Sequence, residues 1–312
     1  MNHLLIKGEL DLNISKAEFL SDIDCLFDAL REAYGLYDYF GHEAFMKAKD
    51  EILAKLDAIP FDGSCAVRIV QDTFASFIKD GHFDIGSGVS VTDEMGTSES
   101  ESDATDFAIR HTTFHGIPMI QCRKWYFDTP EEQAELEEFS RSFPRYQNDD
   151  PLIIDVRDNG GGSDIYFWDF FKGLFGAEPD YPCVFVQRFS PLYREYREAN
   201  HWEQDGAESD DCDGVTIKSP KQMYILINEN TASSGESTVA YLKTVENTLV
   251  VGTHTAGCFS CGNCMMIYLP NSHLPVYFGT GMVLYEKTRN IDAEGGFQAD
   301  ISYEEFLQKI GV

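Results

Sequence analysis

Basic residues are scarce. The 312-residue chain has 24 lysines and arginines against 53 aspartates and glutamates, a formal net charge of −29. Nucleic acid and anionic membranes both call for basic patches, so neither is expected as a partner. No stretch approaches the ~20 consecutive apolar residues of a membrane span. The N-terminal Met1-Asn-His-Leu-Leu-Ile-Lys7 has no extended apolar signal region. The chain as it stands reads as cytoplasmic; the mature form of an exported protein, its leader removed, would read the same. Eight cysteines are too few for a disulfide scaffold at this length. Internal repeats are absent. So are a phosphate loop and a G-x-G-x-x-G turn, and no cofactor is expected.

What is present is a globular composition, with 43% hydrophobic residues to build a core. Residues 13–80 read as helical. Ser15-Lys-Ala-Glu18 is a capping box, and Phe19, Ile23, Leu26, Phe27 and Leu30 follow the helical period behind it. A second helix carries Phe45, Ala48, Ile52 and Leu56 and ends before Pro60. A third starts near Ser64 with Val67, Val70, Phe74 and Phe77 on one face. Residues 1–88 are therefore expected to form a helical subdomain. Residues 89–106, acidic and serine-rich, read as a loop or linker.

From residue 107 onward strands and helices alternate. Ile117–Cys122, Leu152–Val156, Val184–Gln187, Met223–Ile227 and Leu249–Gly252 read as strands. Thr129-Pro130-Glu131-Glu132 opens a helix, and Ile165–Phe175 is another. Such alternation predicts an α/β core of βαβ units with substantial parallel sheet over 107–312. Residues 190–221 form a long polar and aromatic connection, of the kind that serves as a functional lid or is a disordered segment.

Three segments carry chemistry. After the apolar run Met223–Ile227, Ser233 and Ser234 fall at a strand-to-helix turn, where a hydroxyl is exposed beside free backbone N–H groups. A plain serine N-cap is the competing reading. Ile154-Asp155-Val-Arg-Asp-Asn-Gly160-Gly161-Gly162 ends a strand in three glycines, which let backbone N–H groups face a ligand. A tight turn would explain the same run. Lys79-Asp80-Gly81-His82 closes the third helix, and His82 after a glycine belongs on a turn rather than a core face.

Asp80-Gly-His82, Asp155-Val-Arg-Asp-Asn-Gly-Gly-Gly and Thr231-Ala-Ser-Ser-Gly-Glu236, in this order, resemble the carboxyl-terminal-processing (tail-specific) serine protease family, which includes the tricorn protease core. The resemblance covers about residues 15–312 and implies a crotonase-like α/β fold. It implies Ser233 as nucleophile, with Ser234 one register away, and an oxyanion hole from the N–H groups of Ser234 and Gly161. Cys258, in Thr255-Ala-Gly-Cys258, stands where the lysine-dependent branch has its base. The tricorn-like branch, with a histidine base and a glutamate, is matched instead by His82 and Glu294. Gly81 stands where that branch has a serine, and no segment matches an inserted PDZ domain.

The expected activity is hydrolysis of peptide bonds in a peptide or unfolded protein. A serine hydroxyl needs a neutral imidazole to take its proton, and a carboxylate behind the ring fixes its tautomer. The alternative is an inactive family member that binds a peptide or small hydrophobic ligand, a use resembling that of a retinoid-binding protein of the eye. An acyl-CoA enzyme on the related fold is a third, weaker reading, since no basic nucleotide patch is visible. Cys258, Cys261 and Cys264 have C-x-x-C-x-x-C spacing, but no second ligand pair is clear and no metal is expected. Cys25, Cys65, Cys122 and Cys183 read as core residues.

Overall fold

The computed structural model describes residues 3–86, 107–197 and 205–312. In chain order the helices are α1 (Lys16–Ala33), α2 (Tyr37–Phe40), α3 (His42–Asp57), α4 (Gly63–Ala75), α5 (Pro130–Arg141), α6 (Ile165–Phe175), α7 (Pro191–Tyr196), α8 (Ser234–Leu242) and α9 (Tyr303–Ile310). The strands are β1 (Asp84–Ile85), β2 (Ile109–Phe114), β3 (Ile117–Cys122), β4 (Leu152–Asp155), β5 (Cys183–Phe189), β6 (Gly206–Cys212), β7 (Met223–Ile227), β8 (Thr248–Gly252), β9 (Cys261–Gly262), β10 (Met265–Tyr268), β11 (Pro275–Phe278) and β12 (Gly281–Tyr285). The acidic segment expected as a loop over 89–106 lies outside the described residues. No described helix is long and apolar enough to cross a membrane.

The chain divides into two units. One joins Met1–Val91 to Phe185–Asp210 and Cys261–Val283; the other joins Thr92–Val184, Asp211–Ser260 and Leu284–Val312. Segments 185–210 and 261–283, read from the sequence within the core over 107–312, fall in the first unit. They belong with the N-terminal helices, because their apolar residues fill the helices' core. Hydrophobic periodicity reports that a segment is buried, not which core it joins.

In the first unit the Ser15 capping box forms as read: Ser15 Oγ accepts the Glu18 N–H at 3.3 Å and Glu18 Oε2 accepts the Ser15 N–H at 2.8 Å. Phe19, Ile23, Leu26 and Leu30 of α1 are fully buried with Phe45 and Ile52 of α3 and Val70 of α4. Met265, Ile267, Val276 and Phe278 complete this core from the antiparallel sheet β1-β11-β10. Asp22, wholly buried in α1, accepts the Ser272 hydroxyl at 2.6 Å and the Ser272 N–H at 2.8 Å. That pairing satisfies a carboxylate that burial would otherwise destabilise, and it fixes the turn between β10 and β11. The polar connection 190–221 is built on α7 and β6; β6 is the outer strand of a four-stranded sheet of order β6-β5-β12-β9.

The second unit is built on a five-stranded sheet of order β2-β3-β4-β7-β8. The β2–β3 pair is an antiparallel hairpin, and β3–β4, β4–β7 and β7–β8 are parallel. This is the parallel βαβ sheet expected. β4 and β7 are buried at every position, which is why they read as unbroken apolar runs. Phe306 of α9 is fully buried against one face, 4.9 Å from the Tyr224 ring. Trp125, Phe139, Phe167 and Phe170 form an aromatic cluster, with Phe139 and Phe170 stacked at 4.6 Å.

Cys122 is buried, but Cys25 and Cys183 are only partly so, and Cys65 is exposed. On α4 the buried face is set by Val67, Val70 and Phe74, and Cys65 lies off it, in the first turn, where its N–H donates to Asp62 Oδ1.

Candidate active site

β4 and β7 are parallel neighbours in register, Asp155 opposite Leu226. Their carboxyl ends therefore meet, and so do the loops that leave them: the glycine run after β4 and the serine turn after β7. Ligands of open parallel sheets bind at such ends. Hydrogen bonds join the two loops. Asn159 O accepts the Ala232 N–H at 2.8 Å, Val156 O accepts the Thr231 hydroxyl at 2.8 Å, and Gly162 O accepts the Ser234 hydroxyl at 2.8 Å. Asp158 Oδ1 accepts Asn228 Nδ2 at 2.7 Å.

Below the glycine run, Asp155 is fully buried between two arginines. Arg123 Nη2 reaches Oδ2 at 2.9 Å, and Arg157 Nε reaches Oδ1 at 2.8 Å. Burial alone would raise the Asp155 carboxyl, but the hydrogen bonds from Arg157 and Arg123 hold it below the usual aspartate range. Arg123 Nη1 also donates to Arg157 O at 2.9 Å, fixing the backbone where the strand gives way to the loop.

Ser233 stands at the β7–α8 junction with φ 53° and ψ −122°. An ordinary N-cap serine has extended backbone. The Ser233 geometry is one that favours glycine and costs on the order of 1–3 kcal/mol at other residues. It is a sharp strand-to-helix turn, of the kind that can expose a side chain at its apex. Ser234 opens α8; its hydroxyl is committed to Gly162 O, while its N–H has no acceptor among the described residues. Gly161, at φ 107°, packs directly on Ser233: a Cβ there would stand 2.6 Å from Ser233 Cβ, 3.0 Å from its Oγ and 3.1 Å from Ser234 N. Only glycine fits. The Gly161 N–H donates to Asn159 Oδ1 at 2.9 Å. The structure thus brings Ser233, Ser234 and Gly161 together. Gly161→Ala keeps the N–H but drives a Cβ into Ser233 and Ser234 at a backbone angle that favours glycine, so a depressed Tm is expected, and a thermal melt checks it.

Glu236, three residues into the turn, was not singled out by sequence reasoning. It is fully buried and collects four donors: Thr255 Oγ1 at 2.5 Å, Cys258 N at 2.7 Å, Gly257 N at 3.1 Å and Ser233 N at 3.3 Å. Burial pushes its carboxyl up to about 7 against the pull of the Thr255 hydroxyl and those N–H groups. Asn159, also fully buried, was missed too. Its Nδ2 donates to Cys122 O at 3.1 Å while its Oδ1 holds Gly161. The signal in both cases is a polar residue beside a catalytic-type motif with no solvent to satisfy it.

His82 belongs to the first unit. It lies on a turn, as read, but is only 4% exposed. Its N–H donates to Asp80 Oδ1 at 2.8 Å, and Asp80 Oδ2 accepts the Tyr34 hydroxyl at 2.8 Å. Burial lowers its imidazole below the ordinary histidine range, although Asp80 and a hydrogen bond to the Cys261 backbone pull the other way. Nδ1 is left without a hydrogen-bond partner. Burial thus favours the neutral ring over the charged one. Glu294, in the second unit, is held by Arg289, whose Nε lies 3.0 Å from Oε1, and its side chain is 39% exposed. The Arg289 hydrogen bonds lower its carboxyl. The carboxylate packed beside His82 within its unit is Asp80. Cys258 and Cys261 are buried and Cys264 is partly so; among the described residues no group of three or more His, Cys, Asp or Glu side chains is arranged to hold a metal ion.

The model of peptidase family S41 matches residues 108–303, more than half of the chain. No curated protein matches it. Among solved structures, mature CPAF is 12% identical with a TM-score of 0.61, over 94% of this chain and 96% of that one. A putative peptidase from Parabacteroides merdae is 16% identical with a TM-score of 0.54, over 92% and 91%. The photosystem II D1 C-terminal processing protease is 13% identical with a TM-score of 0.51, over 94% of both chains. Likeness at these identities is a likeness of fold. The S41 match spans β2 to the start of α9, and so includes the glycine run, the serine turn and Glu236: the chain belongs to peptidase family S41.

Proposed function

We propose that this chain is a serine peptidase of the tricorn-like kind, with Ser233 as its nucleophile. The observation that carries the reading is the backbone of Ser233, held at positive φ with Gly161 against its side chain. A serine placed only to cap a helix has no use for that strain. Ser234 is the weaker candidate, since its hydroxyl already donates to Gly162 O.

In the proposed step the Ser233 hydroxyl attacks a peptide carbonyl carbon and its proton passes to His82. The Ser–O–C bond forms as the carbonyl oxygen becomes an oxyanion. The Ser234 N–H accommodates that oxyanion from the start of α8. The Gly161 N–H joins it by leaving Asn159 Oδ1, because a full negative charge is the stronger acceptor. His82 then delivers the proton to the leaving amine, the C–N bond breaks, and water releases the acyl group by the same path in reverse. Asp80 holds the backbone of the His82 turn. Glu294 as orienter of His82 is carried over from the resemblance, and Arg289 would have to release it.

The working form needs His82 neutral. Burial lowers its pKa, so protonation and the loss of kcat/KM come at a pH below the ordinary histidine value of about 6.5. A pH–rate profile with an acid limb below that value is the expected result. A limb at or above it would rule out this buried ring as the base. The overall test is digestion of an unfolded polypeptide, with products identified by mass. Cleavage by the wild type and none by Ser233→Ala is expected. Binding without cleavage by the wild type would favour the inactive-binder reading, which the loss of the lysine at Cys258 keeps in view.

A further inference from the structure

A backbone at φ 53° and ψ −122° persists at a serine only where its neighbours fix it. At Ser233 the neighbour is Glu236, whose Oε2 accepts the Ser233 N–H at 3.3 Å. A glutamate side chain is long and rotatable, so this contact positions Ser233 only if the carboxylate is itself held. The groups that hold it come from one segment, Thr255 to Cys258. Gly257 and Cys258 give main-chain N–H groups, and Thr255 gives its side chain.

Thr255 is fully buried and its hydroxyl is used twice. Oγ1 accepts the Phe297 N–H at 2.7 Å and donates to Glu236 Oε1 at 2.5 Å. An N–H can only donate, so Phe297 occupies a lone pair of the hydroxyl and its proton is left for the carboxylate. The main chain repeats the pairing, with the Thr255 N–H on Phe297 O at 3.0 Å. Phe297 follows the loop that carries Glu294. It is 3% exposed, with its ring 5.0 Å from Phe259 and 5.2 Å from Tyr285. The contacts therefore run from a packed aromatic cluster through Thr255 and Glu236 to Ser233, all within the second unit. A threonine that only filled the core would need none of this, since valine has the same shape.

We infer that Thr255 is a positioning residue for the nucleophile: its hydroxyl, oriented by the Phe297 N–H, pins the Glu236 carboxylate that holds the Ser233 turn. The effect on catalysis rests on the peptidase reading; the pinning does not. Loss of the hydroxyl leaves the segment docked, because the Ala256 N–H still donates to Thr231 O at 2.8 Å. What is lost is the placement of Ser233, and displacement of a reacting group costs rate rather than substrate affinity.

The test compares Thr255→Val, which keeps the shape, with Thr255→Ser, which keeps the hydroxyl. Hydrogen exchange of the Ser233 amide reads the pinning, and steady-state kinetics on an unfolded polypeptide read the placement. The valine variant is expected to exchange Ser233 about tenfold faster. Its kcat should fall by about tenfold or more with KM within about twofold of wild type. Serine should restore both. Thr244→Val is the control: that buried hydroxyl donates to Tyr241 O at 2.6 Å, past the far end of α8. It is expected to lower Tm and leave kcat and Ser233 exchange unchanged. Should the Thr255 valine variant not fold, Thr255→Ala, with room for a water in place of the hydroxyl, is read instead. Unchanged Ser233 exchange would overturn the pinning. An equal fall of kcat in Thr244→Val, or no rescue by serine, would overturn the positioning role. A wild type that cleaves nothing while Ser233 exchange still responds would fail the peptidase reading and bear out the pinning.

Discussion

On the proposed reading, replacing Ser233 by alanine is expected to lower kcat for peptide hydrolysis by about 10⁴-fold or more, the loss that follows removal of a serine nucleophile. The argument is local. Ser233 is the one hydroxyl at the β7–α8 turn not committed to a loop carbonyl, and it faces Gly161 across van der Waals contact. Alanine keeps the Cβ and the turn, so the variant stays folded. Ser233→Gly separates function from stability. Glycine adopts φ 53° freely, and relief of roughly 1–3 kcal/mol of strain exceeds the ~0.5–1 kcal/mol of added chain entropy. The glycine variant is therefore expected to be inactive yet more stable by about 1 kcal/mol, read as a shift of the urea midpoint with an unchanged slope. A glycine variant less stable than the wild type would show that Ser233 is not strained.

Glu236→Ala is expected to destabilise the fold most. It leaves the hydroxyl of Thr255 and the N–H groups of Cys258, Gly257 and Ser233 without their acceptor in a site closed to water. At about 1–3 kcal/mol for each buried donor, the loss is on the order of 5 kcal/mol, a large share of a typical domain's stability. Glu236→Gln keeps the shape but sets an NH₂ group against donors, so it loses less and still slackens the serine turn. A fall in kcat with a smaller fall in stability is expected for glutamine. The pH dependence has a definite sign. The folded carboxyl lies near 7, above its unfolded value, so the folded state holds the proton more tightly. Its contribution is present below about pH 4.5 and is lost as pH rises toward 7. Denaturant melts of wild type and Glu236→Gln across that window should converge toward neutral pH in the corresponding term.

Much of this was legible from sequence. Ile117–Cys122, Ile165–Phe175 and Met223–Ile227 begin and end where read, because each is an apolar run closed by turn residues or a glycine. The meeting of the glycine run with the serine turn follows from parallel pairing of two buried strands. What sequence hid is non-local. Glu236 finds its donors across about twenty residues, at Thr255 to Cys258, and nothing in a helix pattern announces that contact. Asp80 lies two residues before the histidine, but its side chain is held by Tyr34, just past the end of α1. The short strands β9 to β11 have too few residues to show a period, and their membership in the helical unit is decided by packing. Glu294 matched a motif, but its carboxylate is turned to Arg289.

The most direct measurement is labelling by a fluorophosphonate probe followed by intact-mass and peptide mapping. One adduct per chain on Ser233, absent from Ser233→Ala and weakened in Gly161→Ala, is the predicted result. No adduct at any pH where the protein is folded, or an adduct that persists on Ser234 in Ser233→Ala, would contradict Ser233 as an activated nucleophile.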